Sequence, residues 1–403
     1  MTTIVNNFTH LPNLRYAGMD NRGRKFGVLI VKAAFDVGDD GICVLSEDQE
    51  PLTFTDEYHG ALNVTSLRYP SDLVPYKPRT DVLVDAVARA PGGKALPSWL
   101  FDIQVEDQTG VKVGKTLHVH GPRQWEPKWR RRLDEKEQAE WQAHRKLFMG
   151  WELSKPQPIT ELPLRYEHTY GGSLPRIKPG EDKPTLEANQ YNPVGEGWID
   201  KERTDHTKSQ PAPQIEAPDC PITKPYTHYE PQGVGPIPPA WLPRRPLGGT
   251  YDQSWIDTVW PNWPNDYAFR FHNSAPTSLQ TPDGQFMDGE IRFSMTNKAG
   301  DDLADKIELK LQNPTVLIDL QYEDDPTKFL RLNLDTLFFD VKDPDPKRWR
   351  IFVSGRTVFS LARDARIDIQ LKEDWMKLEG KALKETFPAS SHPYEAFETG
   401  ELS

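Results

Sequence analysis

The sequence predicts a mainly β protein with antiparallel, sandwich-like sheets, long ordered loops rich in proline and tryptophan, and one inserted helix. Short runs of β-branched and aromatic residues, separated by turn residues, fill both ends of the chain. The 403 residues include 37 prolines, and proline interrupts helix interiors, so long helices cannot dominate. The chain also holds 12 tryptophans, 13 tyrosines and 17 phenylalanines. This content excludes low-complexity disorder, because disordered chains are poor in aromatic residues.

The first predicted region, residues 1–125, is an antiparallel sheet or sandwich. Its β-type runs include residues 25–35 and 100–106, where apolar side chains recur in short blocks or alternate with polar ones. The turn sequence GDDG at 38–41 predicts a hairpin after the first run. We therefore expect neighbouring runs to pair with one another.

Residues 126–150 break this pattern and predict the inserted helix. Residues 128–149 contain neither glycine nor proline, and Trp129, Leu133, Trp141 and Phe148 form a sparse apolar stripe. Charged residues cover the rest, which favours a solvated helical face. A surface for docking a partner is the alternative interpretation.

Three further regions complete the predicted organisation. Residues 151–288 hold most of the prolines, and tryptophans among them predict ordered loops packed on the sheets rather than a floppy linker. Residues 289–378 return to strand patterns, for example at 290–295 and 365–371. Residues 379–403 are polar without an apolar pattern and predict a flexible tail.

Composition narrows the classes of partner. A formal net charge of −11 has the wrong sign for a protein whose main partner is nucleic acid or an anionic bilayer. The N-terminus lacks the features of a secretory signal, and apolar runs reach only about six residues where a membrane helix needs about twenty. We expect a cytoplasmic protein. Cys43 and Cys220 are interpreted as free buried thiols, although their spacing cannot show whether they meet.

Two histidines provide the best hint of a metal site. His118 and His120 stand two residues apart on a predicted strand, which points both imidazoles to one face. A cupin-like third ligand would be Glu126, but the spacing is too long, and the second cupin motif fails at Pro236. Histidines packed or exposed on a strand are the favoured interpretation, so we predict neither a metal nor another cofactor.

Carboxylates among tryptophans raise a second chemical possibility. Asp252, Asp257 and Asp266 lie near Trp255, Trp260 and Trp263, and a glycoside-cleaving cleft needs paired carboxylates beside stacking rings. Aspartates that cap loops or pair with nearby arginines are favoured instead. Strong catalytic motifs are absent from the sequence, so we predict a protein that is not an enzyme. A carbohydrate-active or metal-dependent, cupin-like β enzyme remains the alternative.

A series of motifs that combine tryptophan, proline, glycine and charged residues runs through the chain. They are 71–82 (SDLVPYKPRTDV), 123–125 (RQW), 163–172 (PLRYEHTYGG), 192–197 (NPVGEG), 213–218 (PQIEAP), 236–244 (PIPPAWLPR), 249–255 (GTYDQSW), 264–267 (PNDY), 271–276 (FHNSAP) and, more weakly, 349–350. In these motifs and their order, the chain resembles a bacterial family, originally of unknown function, that is encoded in type VI secretion clusters beside effectors with PAAR-like tips. Two departures from the family are the long predicted helix and Pro122 after Gly121 in place of an acidic residue.

The resemblance implies a non-enzymatic adaptor or chaperone. Such a protein binds the PAAR-like end of its cognate effector in the cytoplasm and assists its loading onto the valine-glycine repeat spike protein, which is the second expected partner. Tryptophan and tyrosine concentrate binding energy at interface centres. The candidate partner-binding residues are Trp241, Tyr251, Asp252, Trp255, Trp260 and Trp263. The competing interpretation is that these residues pin the proline-rich loops onto the core.

Overall fold

A computed structural model describes residues 3–20, 22–135, 145–176, 185–312, 315–323 and 325–371 and confirms the mainly β class. One complete α-helix within these ranges, α1, spans Gln253–Thr258, and Glu135 is also helical. Short 3-10 turns occupy Pro91–Gly93, Arg145–Leu147, Tyr166–His168, Arg245–Gly248, Phe269–His272, Thr277–Leu279 and Pro346–Arg348. The strands are β1 (Thr3–Asn7), β2 (Asn13–Met19), β3 (Lys25–Val37), β4 (Ile42–Leu45), β5 (Glu57–Tyr58), β6 (Leu67–Tyr69), β7 (Asp81–Asp85), β8 (Val87–Arg89), β9 (Ser98–Asp107), β10 (Lys112–His120), β11 (Arg123–Trp129), β12 (Phe148–Leu153), β13 (Glu161–Pro163), β14 (Tyr170–Gly171), β15 (Ser173–Arg176), β16 (Thr185–Ala188), β17 (Glu196–Gly197), β18 (Gln210–Ala212), β19 (Ile215–Glu216), β20 (Ile291–Ala299), β21 (Leu303–Leu311), β22 (Val316–Tyr322), β23 (Lys328–Arg331), β24 (Asn333–Asp340), β25 (Arg350–Ser360) and β26 (Ala365–Leu371).

A large curled sheet of 11 strands dominates the molecule. Its order is β19-β10-β9-β20-β21-β4-β3-β25-β24-β7, with β2 pairing β3 beside this path. Most pairs are antiparallel, as predicted, but β21–β4 and β24–β7 are parallel, so the sheet is mixed. Phe293 on β20 stacks on Phe339 on β24 with ring centroids 4.2 Å apart. Four strands lie between them, which in a flat sheet would separate the rings by about 24 Å. The sheet therefore curls around its core.

Strand β3 shows how the sheet separates two cores. Its odd-numbered residues, such as Leu29 and Val31, belong to the main core inside the curl. Its even-numbered Phe26, Val28 and Ile30 form an outer core with aromatic residues of the central region. A strand buried on both faces reads as a continuous apolar run rather than an alternating one. The predicted turn follows β3, because β4 pairs back on it and Gly41 has a φ of 76° that favours glycine.

A second sheet closes the main core. It has the order β1-β26-β22-β23, and Ile318, Leu320, Ile367 and Ile369 join the same apolar cluster as the large sheet. β1 pairs in parallel with β26, the last described strand. Strands of the predicted regions 1–125 and 289–378 thus interleave in common sheets.

The ends of the helix predicted within 126–150 are strands, so its boundaries were wrong. β11 and β12 pair antiparallel, with Trp129 opposite Phe148 and their rings 5.3 Å apart in an edge-to-face contact. Phe148 also packs against a third apolar cluster around Trp125 and Trp151. Cross-strand aromatic packing outweighs the helix propensity of the flanking residues. Residues 136–144, the middle of the predicted helix, lie outside the described residues, as does the predicted tail at 379–403.

The two cysteines are both free, but only one is buried. Cys43 lies in the main core, whereas Cys220 is exposed, which corrects the prediction of two buried thiols. Burial raises the pKa of the Cys43 thiol to about 12. Among the described residues, no helix is long and apolar enough to span a membrane.

Candidate functional site

The motif at 71–82 forms a buried charge network rather than an open site. We use this name for Lys32, Asp72, Lys77, Asp81, Asp335 and Arg356, each of which is at most 3% exposed. Lys32 Nζ lies 3.3 Å from Asp72 Oδ2, and Lys77 Nζ lies 3.0 Å from Asp81 Oδ2. Arg356 pairs with Asp335. Opposite charges this deeply buried are stable only when they compensate one another.

Hydrogen bonds from this network join distant parts of the chain. Arg356 on β25 donates from Nη2 to the Asp72 carbonyl at 2.6 Å and from Nε to the Val74 carbonyl at 3.1 Å. Asp81 accepts hydrogen bonds from Asn273 Nδ2 at 3.0 Å and from the Ser274 backbone N–H at 2.8 Å. The network therefore fixes the central region onto the sheet. Its charges are directed at protein groups, which makes it structural.

The six predicted partner-binding residues divide between core and surface. Trp241 is only 8% exposed and packs edge-on against Tyr166, with centroids 5.6 Å apart. Trp263 lies against the outer core, where its ring centroid is 4.4 Å from that of Tyr267. These two rings pin the proline-rich segments to the sheet, as the competing interpretation predicted for all six.

The other four residues lie, together with Trp263, in residues 250–266. We call this segment, whose two ends are hydrogen-bonded to each other, the aromatic loop. Tyr251 is 57% exposed and Trp260 is 66% exposed, with Ile256 beside them in sequence at 54%. Trp255 is half-buried, donates from Nε1 to the Asn262 carbonyl at 2.9 Å and packs edge-on against Tyr251. Asp252 caps α1 by accepting from the Trp255 backbone N–H at 2.9 Å. The loop thus presents apolar side chains to solvent from an ordered backbone.

The ends of the aromatic loop are tied together at Thr250 and Asp266. Asp266 accepts from the Thr250 backbone N–H at 3.0 Å and from its Oγ1 at 2.7 Å, and these hydrogen bonds lower the pKa of Asp266. Gly249, just before the clamp, has a φ of 85°, and a Cβ there would lie 2.8 Å from Pro264. Asp257 accepts from Gln253 Nε2 at 2.8 Å. The three aspartates considered for glycoside cleavage therefore each accept a hydrogen bond from another residue of the loop.

A second set of side chains, which we call the histidine–glutamate cluster, comprises His118, His120, Arg123 and Glu216. β10 places both histidines on one face, and β19 places Glu216 directly opposite His118. Glu216 Oε1 lies 3.0 Å from His120 Nε2 and 3.8 Å from His118 Nδ1. Its other oxygen, Oε2, accepts from Arg123 Nη2 at 2.5 Å and from the Ile222 backbone N–H at 2.9 Å. The two carboxylate oxygens thus have separate partners.

Burial and charge tune the protonation of this cluster. Burial alone would raise the pKa of Glu216, but hydrogen bonds from His120 and Arg123 outweigh it and lower that pKa to about 2. Burial and the neighbouring His120 lower the pKa of His118. Nearby, burial raises the pKa of Glu196 to about 7 despite the opposing charge of Arg123. At neutral pH, Glu216 is a carboxylate, whereas Glu196 is near its midpoint.

The histidine pair was predicted from the sequence, but its acidic partner was not. Glu126, the third ligand considered from the sequence, is exposed on β11 and paired across the hairpin with Glu152. The partner is Glu216, from the motif at 213–218, and Arg123 comes from the motif at 123–125. Spacing along the chain carried no signal for Glu216, because its place beside β10 depends on strand pairing. The donor atoms of His118, His120 and Glu216 all lie within 4.8 Å of one another.

A cleft of about 770 Å³ adjoins this cluster. Thr116, two residues before His118, and Ala217, next to Glu216, both line it, together with tyrosines and prolines of the central region. Lys115 also lines the cleft, and burial lowers its pKa to about 8 against the opposing charge of Glu230. The cluster therefore lies beside a concave surface of the protein.

Comparison with known proteins identifies one family. No curated protein and no solved structure matches the chain. Residues 22–353 match a family described as an uncharacterized protein conserved in bacteria, DUF2169. The match spans well over half of the sequence and includes the aromatic loop, the histidine–glutamate cluster and all of the buried charge network except Arg356. The chain belongs to this family of bacterial proteins, DUF2169.

Proposed function

We propose that this protein is a non-enzymatic adaptor or chaperone that binds a type VI secretion effector through the effector's PAAR-like end. In this proposal it acts in the cytoplasm, shields an apolar part of the effector and assists its loading onto the valine-glycine repeat spike protein. The observation that carries the proposal is the aromatic loop, where Tyr251, Ile256 and Trp260 are each more than half exposed. Large apolar side chains that are exposed close together in the sequence favour a protein interaction site.

The construction of the aromatic loop favours binding. Tyrosine and tryptophan are enriched among residues that dominate interface energies. The clamp between Thr250 and Asp266 and the hydrogen bond from Trp255 to Asn262 order the backbone in advance. A loop that is already ordered loses less conformational entropy on binding, so more of the contact energy appears as affinity.

The choice of partner rests on the resemblance of the sequence motifs to adaptors of type VI secretion. The aromatic loop contains two of these motifs, 249–255 and 264–267. Trp263, near the end of the loop, and Tyr267, just after it, pack against the outer core and so hold the loop to the sheet. The alternative, a carbohydrate-active enzyme, has weaker support, since Asp252, Asp257 and Asp266 are engaged within the loop.

Co-expression with the effector encoded beside this gene, followed by size-exclusion chromatography, tests the proposal. We expect the two proteins to elute together and the effector to become more soluble. The double variant Tyr251→Ala/Trp260→Ala should weaken the complex by at least about 30-fold, because each ring is expected to be a major contributor. Binding is measured by titration of the purified partners.

Phe8 and Phe54 provide a matched control. They are 66% and 57% exposed, the same fractions as Trp260 and Tyr251, and lie outside the aromatic loop. The variant Phe8→Ala/Phe54→Ala should bind the effector as the wild type does. Separate elution of the wild-type proteins at micromolar concentration, with unchanged effector solubility, would overturn the proposed function. Equal weakening in both double variants would show that the aromatic loop is not the binding surface.

A further inference from the structure

We propose that His118, His120 and Glu216 bind one divalent transition-metal ion, with Zn²⁺ as the best match to their chemistry. The site is separate from the aromatic loop and does not depend on the proposed adaptor function. It differs from the cupin-like arrangement considered from the sequence, because its acidic ligand comes from the neighbouring strand β19 rather than from the residues after His120.

The distances among the donor atoms fit a zinc ion. Zinc bonds of about 2.0–2.1 Å in a tetrahedral arrangement place neighbouring ligand atoms about 3.3 Å apart. Glu216 Oε1 lies 3.0 Å from His120 Nε2 and 3.8 Å from His118 Nδ1, on either side of this value. All three donor groups lie within 4.8 Å of one another. Small side-chain adjustments would therefore bring the three donors to a common ion.

The surroundings hold the carboxylate in a suitable orientation. Arg123 and the Ile222 backbone N–H bind Oε2 of Glu216, which leaves Oε1 directed at the histidines. Arg123 is itself fixed, since its Nε donates to the Pro213 carbonyl at 2.7 Å. Partners of this kind behind a metal ligand orient it and tune its affinity. The positive charge of Arg123 also repels a cation, so we expect weaker binding than at closed structural zinc sites.

The ligand nitrogen of His120 is Nε2, which now shares a hydrogen bond with Glu216 Oε1 at 3.0 Å. An ion between them replaces that hydrogen bond, and the neutral imidazole then carries its proton on Nδ1. This Nδ1 is buried without a hydrogen-bond partner among the described residues, so it is not itself a ligand. The His118 side chain is 33% exposed, so an ion could enter from that side and keep a water molecule as a fourth ligand.

The donor set discriminates between classes of ion. Two imidazoles and one carboxylate suit Zn²⁺ and its transition-metal neighbours, whereas Mg²⁺ and Ca²⁺ prefer oxygen ligands. The full-length protein, without a polyhistidine tag and stripped of metals with a chelator, is therefore titrated with Zn²⁺ by calorimetry. Co²⁺ serves as a spectroscopic probe of coordination geometry. We expect one equivalent of Zn²⁺ to bind, a visible Co²⁺ band, and no binding of Mg²⁺.

Variants locate the ion. His118→Ala and His118→Ala/His120→Ala should lose the Co²⁺ band and the calorimetric signal, whereas His10→Ala, which alters an exposed histidine outside the cluster, should retain both. Cooperative thermal unfolding of each variant confirms that it folds, and Zn²⁺ should raise the melting temperature only where the site is intact. The proposal is overturned if the wild type binds no Zn²⁺ or if a folded His118→Ala variant binds it with unchanged stoichiometry and affinity.

Discussion

The buried charge network and the histidine–glutamate cluster both contain buried charges supplied by the sequence motifs, yet their environments differ. In the network, Arg356 and Asp335 are almost fully enclosed, and Arg356 also donates to the carbonyls of Asp72 and Val74. In the cluster, by contrast, the His118 side chain is one-third exposed. Each region contains one buried atom without a hydrogen-bond partner among the described residues, His120 Nδ1 and Asp335 Oδ2, so access to solvent is what separates them. The cluster also lies beside a cleft, whereas the network lies between the sheet and the central region.

This comparison separates two uses of a charged motif residue. A charge enclosed by complementary groups fixes the chain, and removing one partner leaves another buried and uncompensated. A charged or polar group that keeps unused donor or acceptor capacity beside solvent can bind a further ligand. A charged motif in a sequence does not indicate which of these applies, because compensation depends on groups from remote parts of the chain.

The largest expected effect is the loss of Arg356 from the network. Arg356→Met leaves Asp335 buried without its cationic partner and removes the donors to the Asp72 and Val74 carbonyls. We expect the free energy of unfolding to fall by about 3–5 kcal/mol. Urea denaturation followed by circular dichroism measures this change.

Arg292→Met is the matched control for this experiment. Arg292 pairs with Glu290 at 2.9 Å, but its side chain is 61% exposed. Exposed ion pairs contribute at most about 1 kcal/mol. If the two variants lost similar amounts of stability, the network would not have the structural role assigned to it.

An intermediate effect is expected beside the cluster, at Glu196. Its pKa is about 7 in the folded protein against an ordinary value of 4.5. Between these values the folded state binds more protons than the unfolded state, so stability falls as pH rises from about 4.5 to 7. The difference corresponds to about 3 kcal/mol. Glu196→Gln should remove this part of the pH dependence and become relatively more stable at pH 8.

Denaturation of wild type and Glu196→Gln at several pH values between 4.5 and 8 measures this effect. Glu152→Gln, at an exposed side chain, should leave the wild-type profile unchanged. Parallel profiles for wild type and Glu196→Gln would show that Glu196 does not titrate with a raised pKa. The pH dependence that Glu216 contributes to stability has the opposite sign. Its lowered pKa stabilises the fold above about pH 4.5, and this contribution is lost as the pH falls from there towards 2.

The smallest effect on stability is expected at His118. Its Nδ1 lies 3.8 Å from Glu216 Oε1, beyond hydrogen-bond distance, and its side chain is 33% exposed. His118→Ala should therefore change the free energy of unfolding by less than about 1 kcal/mol in the presence of a chelator. Urea denaturation at pH 7 provides the measurement. A loss as large as that of Arg356→Met would place His118 with the structural charges instead of with a ligand-binding group.

At the proposed interface, the sequence predicted where aromatic residues are concentrated but not which of them are exposed. The composition and spacing of residues 241–263 identified an unusual concentration of rings. They did not indicate that Trp241 packs on Tyr166 while Trp260 is 66% exposed. Whether a ring is buried depends on residues that are distant in sequence. Trp241 packs on Tyr166, and Trp263 packs on the outer core that includes residues of β3.

Local patterns determined the class of this protein, because strand runs such as residues 25–35 and the turn at 38–41 depend on neighbours along the chain. The motifs that carry the family resemblance were also recognisable from the sequence alone. Only the tertiary structure decided that the ends of the predicted helix are β11 and β12, since Trp129 and Phe148 pair across these two strands and pack edge to face. It likewise decided that Glu216, not Glu126, faces the histidines. Strand pairing and curling of the sheet bring together residues whose separation along the chain carries no information about their contact.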